Sequence, residues 1–175
     1  MKNEEVNEWT DGGSGLCRGF GPGQILINDG GVHDLTTQTY DDRFWISDGS
    51  TVNIGDGVTI NISMPSYNYP TTYIGIGAGQ GFMNIPGTGQ LIMDAGHATG
   101  LADSTDAYGE LTMSGNAYLE TAGIIGSQRG GSVSAISENA TMYIAGGPSG
   151  GGPLMITASS WAIRTPGRPR PLSIS

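Results

Sequence analysis

The sequence is short of most things that basic or redox chemistry requires. It has one cysteine, Cys17, one lysine, Lys2, and two histidines, His33 and His97. A lone cysteine excludes an intrachain disulfide, so whatever holds the fold together is non-covalent. A lone lysine near the start leaves no phosphate-binding loop of the Gly-rich, Lys-containing kind. Seven Lys and Arg stand against 16 Asp and Glu, a net charge of −9. Contacting phosphates takes clustered cationic side chains, so neither a nucleic acid nor an anionic membrane surface is expected as a partner. No apolar run is long enough for a spanning helix, and no membrane insertion is expected. No signal peptide is visible, because the first residues are acidic and polar and no apolar segment follows them. Helix-forming residues never accumulate at a 3.6-residue period, which argues against long helices.

Glycine, in contrast, is abundant, at 31 of 175 residues, without a collagen-like three-residue period. It accompanies a repeat. Residues 81–91 (Gly-Phe-Met-Asn-Ile-Pro-Gly-Thr-Gly-Gln-Leu) are echoed by 109–119 (Gly-Glu-Leu-Thr-Met-Ser-Gly-Asn-Ala-Tyr-Leu) and again by 131–142. The apolar residue before each turn is Ile85, Met113 or Ile136, spaced by 28 and 23 residues, and a weaker copy puts Ile54 31 residues before Ile85. Downstream of each turn, Leu91, Leu119 and Met142 form a second equivalent set. Upstream, the glycine-rich run after Ile74 has its counterpart in the run that begins at Ile125. Self-similarity at this period signals units that bury their apolar faces on one another. Short alternating runs such as Val52, Ile54, Ile60 and Ile62, broken by Asp-Gly and Gly-rich corners, give three short strands per unit. The reading is an all-β fold, a parallel β-helix (β-solenoid) of about four to five short coils. Residues 1–23 form an N-terminal arm or cap, 24–160 the solenoid, and 161–175 a basic tail with prolines and arginines. At the second corner Thr88 falls beside Gly89, while Asn116 and Asn139 share a register, so a polar stack satisfying main-chain groups is expected there.

The pattern Ile-Gly, then Gly-x-Leu-x-Met-Ser-Gly-Asn-Ala-x-Leu, clearest at 109–119, resembles the glycine-rich β-solenoid repeats of bacterial surface and secreted proteins. Autotransporter passenger domains and repeat proteins with a PEP-type sorting signal are among them. The resemblance covers about residues 51–144. It implies architecture and an extracellular or cell-surface origin, and it carries no catalytic residues across.

Chemistry is expected where the repeat is interrupted. The insertion 94–106 gathers Asp94, His97, Asp103 and Asp106, which with His33 and Asp34 could assemble a divalent metal site, Ca or Zn. Asp94, Asp103 and Asp106 are also the candidate catalytic carboxylates of a hydrolase or polysaccharide lyase, the alternative to a module that needs no cofactor. Tyr40 and Trp45 at one corner, and Tyr67 and Tyr69 one coil later, are candidates for stacking on sugar rings. The leading expectation is a structural or adhesive module with a polysaccharide as ligand. The open edges of a short solenoid also predict a homo-oligomer, and with it a possible role in assembly.

Overall fold

The computed structural model describes residues 24–63, 72–93, 97–125, 131–145, 154–157 and 160–165. These residues form seventeen strands and no helix. Coil 1 consists of β1 (Gln24–Ile27), β2 (Val32–Asp34) and β3 (Gln38–Tyr40). Coil 2 consists of β4 (Arg43–Ile46), β5 (Ser50–Asn53) and β6 (Thr59–Ile62). Coil 3 follows with β7 (Thr72–Ile74), β8 (Gln80–Ile85) and β9 (Gln90–Met93), and coil 4 with β10 (Thr99–Leu101), β11 (Tyr108–Met113) and β12 (Tyr118–Thr121). Coil 5 contains β13 (Ile124–Ile125), β14 (Gly131–Ser137) and β15 (Thr141–Ile144). The strands stack into three sheets. The first runs β1-β4-β7-β10-β13, and the other two begin as β2-β5-β8-β11-β14 and β3-β6-β9-β12-β15, with every pairing among these parallel. The fold is the expected parallel β-solenoid.

The last layer breaks the winding. β16 (Leu154–Thr157) pairs antiparallel with β15, and β17 (Ser160–Thr165) pairs antiparallel with β14. The chain therefore reverses and runs back over the third and then the second sheet. The apolar run at 154–156 is thus the start of a reversed strap.

Alternation decides what is inside. In β8 and β11 the burial alternates residue by residue, so Met83, Ile85, Leu111 and Met113 point in and Phe82, Asn84, Glu110 and Thr112 point out. The two anchor columns read from the repeat are real columns. Ile85, Met113 and Ile136 stand opposite one another, as do Leu91, Leu119 and Met142. The proposed match of Ile125 to Ile74 is off by one. Ile125 pairs with Gly100, and Gly100 with Tyr73, so Ile125 shares the register of Tyr73, whereas Leu101 is Ile74's partner. A shift of one residue moves a strand position to the opposite face of the sheet.

The glycines are concentrated where coils come too close for a side chain. Gly75 and Ala102 donate their N–H groups to the carbonyls of Ile46 and Ile74, each at 2.8 Å. Those carbonyls fill the space in front of Gly81 and Gly109: a Cβ on Gly109 would overlap the Ile74 oxygen and lie 2.8 Å from the Ala102 nitrogen. The same inward column holds Ser50 in coil 2 and Ser132 in coil 5, so the requirement belongs to the middle of the stack. At the second corner, Gly115 (φ +72°) lies directly over Gly87, whose Cα would be 2.8 Å from an added Cβ. Glu138 takes the equivalent left-handed place in coil 5, and its carboxylate accepts the Gly115 N–H at 2.6 Å. In this corner the cross-coil side-chain bonds come from Asp56, Thr88 and Glu138: Gly57 donates to Thr88 Oγ1 at 2.9 Å, and Thr88 N–H donates to Asp56 Oδ1 at 2.8 Å. Asn116 and Asn139 share the expected register but are exposed and bond along the axis through their main-chain N–H groups, to Gly87 and Gly115.

Replacing Gly109 with Ala must push two coils apart. A loss of about 1–3 kcal/mol is expected, the usual range for overpacking. The urea midpoint of Gly109→Ala, compared with that of Ser132→Ala in the same column, checks this; equal midpoints would show that the close approach has no energetic weight.

Candidate functional site

The residues singled out for a metal site are dispersed by the coil geometry. His33 lies in the inward column of Val52, at the end of the stack, and its Nε2 is 2.8 Å from Asp29 Oδ1. Asp34, the next residue, faces the other way and accepts the Asn53 Nδ2–H at 2.8 Å. Asp103 and Asp106 lie in the corner after β10, where Asp103 Oδ1 accepts the Gly77 N–H at 2.8 Å and ties coil 4 to coil 3. His97, only 3% exposed, precedes β10, so the length of that strand separates it from Asp103. Asp94 lies outside the described residues. Among the described residues, no three His, Cys, Asp or Glu side chains gather in a way that could hold a metal ion.

The aromatic candidates divide between inside and outside. Tyr40 stands in the inward column of Ile62, tilted against Phe44 with ring centroids 5.3 Å apart, and is hydrogen-bonded by Gln38. It is half-buried against the core. Trp45, next to buried Phe44 on β4, points outward from the first sheet. One coil further, in the same column, stands Tyr73, whose ring meets the indole edge-on with centroids 5.9 Å apart and planes at 83°. The Arg43 guanidinium carbon lies 5.8 Å from the Trp45 ring centroid, within cation–π range. The following position in the column is Gly100, where a Cβ would press into the Tyr73 ring. A side chain is missing at the one place where the tyrosine leans over. Beneath Trp45 the column continues with Leu26, which is 6% exposed although it faces away from the core. The Trp45 Nε1–H is buried and has no hydrogen-bond acceptor among the described residues. Tyr67 and Tyr69 lie outside the described residues.

Three outward features escaped the reading of the sequence. On the second sheet a side-chain ladder runs along the axis: Thr112 Oγ1 donates to Asn84 Oδ1 at 2.5 Å, Asn84 Nδ2 to Asn53 Oδ1 at 2.9 Å, and Asn53 Nδ2 to Asp34. The signal was present, since Asn53, Asn84 and Thr112 each precede a repeat anchor by one residue. On the third sheet Tyr118 bonds to Glu120 at 3.1 Å, and Glu120 is paired in register with Tyr143. Burial, then the neighbouring Glu120 carboxylate and Tyr143, push the Tyr118 hydroxyl pKa up. The third feature is Asp29. Its Oδ1 accepts the Gly31 N–H at 2.9 Å and the His33 Nε2 contact, with Ser50 Oγ at 3.4 Å. Partial burial pulls its pKa upward, but the His33 and Gly31 bonds outweigh that and hold the carboxyl below its ordinary value.

A carboxyl whose pKa is lower folded than unfolded favours the fold above its unfolded value of about 4, and that contribution is lost as pH falls through the folded value. Urea midpoints measured from pH 7 to pH 2.5 should therefore drop on the acid side, and Asp29→Asn should lower the neutral-pH midpoint and flatten the acid limb. Parallel profiles for the two proteins would remove Asp29 from the account. Comparisons with protein-family models, with curated proteins and with solved structures find no match to this chain.

Proposed function

We propose that this chain is a non-enzymatic β-solenoid module of the cell exterior that holds a neutral polysaccharide against the outward face of its first sheet. The observation that carries the reading is the Trp45–Tyr73 pair, one aromatic per coil in a single outward column. Sugar rings present apolar C–H faces that stack on aromatic rings and hydroxyl oxygens that accept from guanidinium donors. Arg43 adds such donors beside the indole, and Gly100 leaves the neighbouring coil flat. The parallel sheet provides a rigid base, because each aromatic is fixed by the register of a strand whose alternate residues, Phe44, Ile46 and Ile74, are buried. A strongly acidic chain repels anionic polymers, which favours an uncharged one.

Retention of the purified protein on insoluble neutral polysaccharides tests this directly. Trp45→Ala should abolish retention and Tyr73→Ala should weaken it about tenfold, within the effect of losing one aromatic anchor, whereas Tyr143→Ala on the third sheet should leave it unchanged. Retention that survives Trp45→Ala, or is lost equally in Tyr143→Ala, would overturn the assignment to this face.

A further inference from the structure

A solenoid coil is a half-finished object, with one apolar face turned up and one turned down. Coils 2 to 4 have neighbours on both sides, and their inward residues, such as Phe44, Ile54, Ile62, Met83 and Leu111, are buried. Coil 1 differs. The members of the same columns in that coil, Ile25, Leu35 and Tyr40, are only partly buried against the core. At this end β2 and β3 are the outermost strands of their sheets among the described residues, and at the other end the outermost strands are β17 and β16. Charge separates the two ends. At coil 1, Asp29, Asp34 and the following Asp41 are exposed. At the other end β17 carries Arg164, and neither β16 nor β17 contains an acid.

We infer that copies of this chain stack end to end with a single polarity, the acidic coil 1 of one copy docking on the reversed β16–β17 layer of the next. A two-fold union of two first coils would set aspartates against aspartates, and a union of two C-terminal layers would bring no acid to either Arg164. Only the head-to-tail union joins opposite signs. Strand direction suits it as well. β17 runs against β14, so in a stack that keeps its orientation the β2 of the next copy pairs antiparallel with β17, as β14 does on the other side. Without lateral shift, the column Val133, Glu110, Phe82, Thr51, Val32 places the Arg164 position beside Val32 of the neighbour and two residues from its Asp34. A head-to-tail union does not close on itself and therefore propagates. The proposed glycan face lies on the side of the first sheet, so stacking would repeat it along a fibre without covering it.

Sedimentation of the full chain over a range of concentrations, at low and at high salt, tests the proposal. Expected is a mass that passes beyond a dimer as concentration rises and falls back as salt is added. Asp34→Lys and Arg164→Glu should each weaken association about tenfold or more, and an equimolar mixture of the two variants should restore it, since each then offers an end complementary to the other. Asp34 also receives the Asn53 bond, so Asp41→Lys serves as a second variant, and thermal midpoints confirm that each variant is folded. A mass of one chain at every concentration overturns the inference. Growth that stops at a dimer, or is unaffected by Arg164→Glu, points to a two-fold contact and overturns it too. Association seen only after removal of residues 1–23 would show that this segment occupies the end in place of a second copy, with the same consequence.

Discussion

Every inward side chain of this protein has its counterpart about 4.8 Å above or below it, the spacing of neighbouring strands. The rest of the structure follows from that constraint. Equivalent positions must be compatible with themselves when stacked, so a column of Ile54, Ile85, Met113 and Ile136 packs as one continuous seam. Stability accumulates between coils rather than within them, because no coil can enclose an apolar core alone. The absence of any disulfide is then no handicap, as each added coil seals the one before it.

The same spacing explains the glycines and the polar groups admitted inside. Where the chain turns from the first to the second sheet, main-chain groups of one coil occupy the space a side chain of the next would need, and Gly81 and Gly109 are the result. Where the third sheet turns to the first, Thr72, Thr99 and Thr121 are fully buried, and the hydroxyls of the first two lie 3.6 and 3.7 Å from the Met93 sulfur. Threonine fills the volume of valine, and here its hydroxyl finds acceptors in the sulfur, in Thr121 and, from Thr121, in the carbonyls of His97 and Gly123. These buried hydroxyls thus sit where a coil junction brings acceptors within reach, whereas Ser134, in the middle of β14, is buried without one among the described residues.

Outside, the constraint produces ladders instead of clefts. The Asp34–Asn53–Asn84–Thr112 chain and the Trp45–Tyr73 pair are both single columns repeated coil by coil. A surface of this kind suits a ligand that is itself extended and repetitive, and it is poorly suited to converge several titratable groups on one point. That is the physical reason His97 and the carboxylates of Asp103 and Asp106, so close in sequence, end at opposite ends of β10. It also connects the proposed ligand with the proposed assembly, since both extend along the axis of the stack.

The sequence by itself determined the class of fold and the register of two of its three strand columns. Apolar residues in a stacked core must recur in phase, and Ile85, Met113 and Ile136 declare that phase openly. It did not reveal the second and third strands of coil 1, Val32–Asp34 and Gln38–Tyr40, which are polar because the end of a stack has less to bury. It also misjudged Ile125 by one residue, because glycine-rich corners of unequal length hide the register. Only the tertiary structure decided which neighbours in sequence face opposite ways, setting Tyr40 against the core and Trp45 outside, His33 inward and Asp34 out. It decided as well that the last layer runs backward. A strand of alternating residues records which of its positions share a face, and it carries no mark of which strand will lie beside it or in which direction that strand will run.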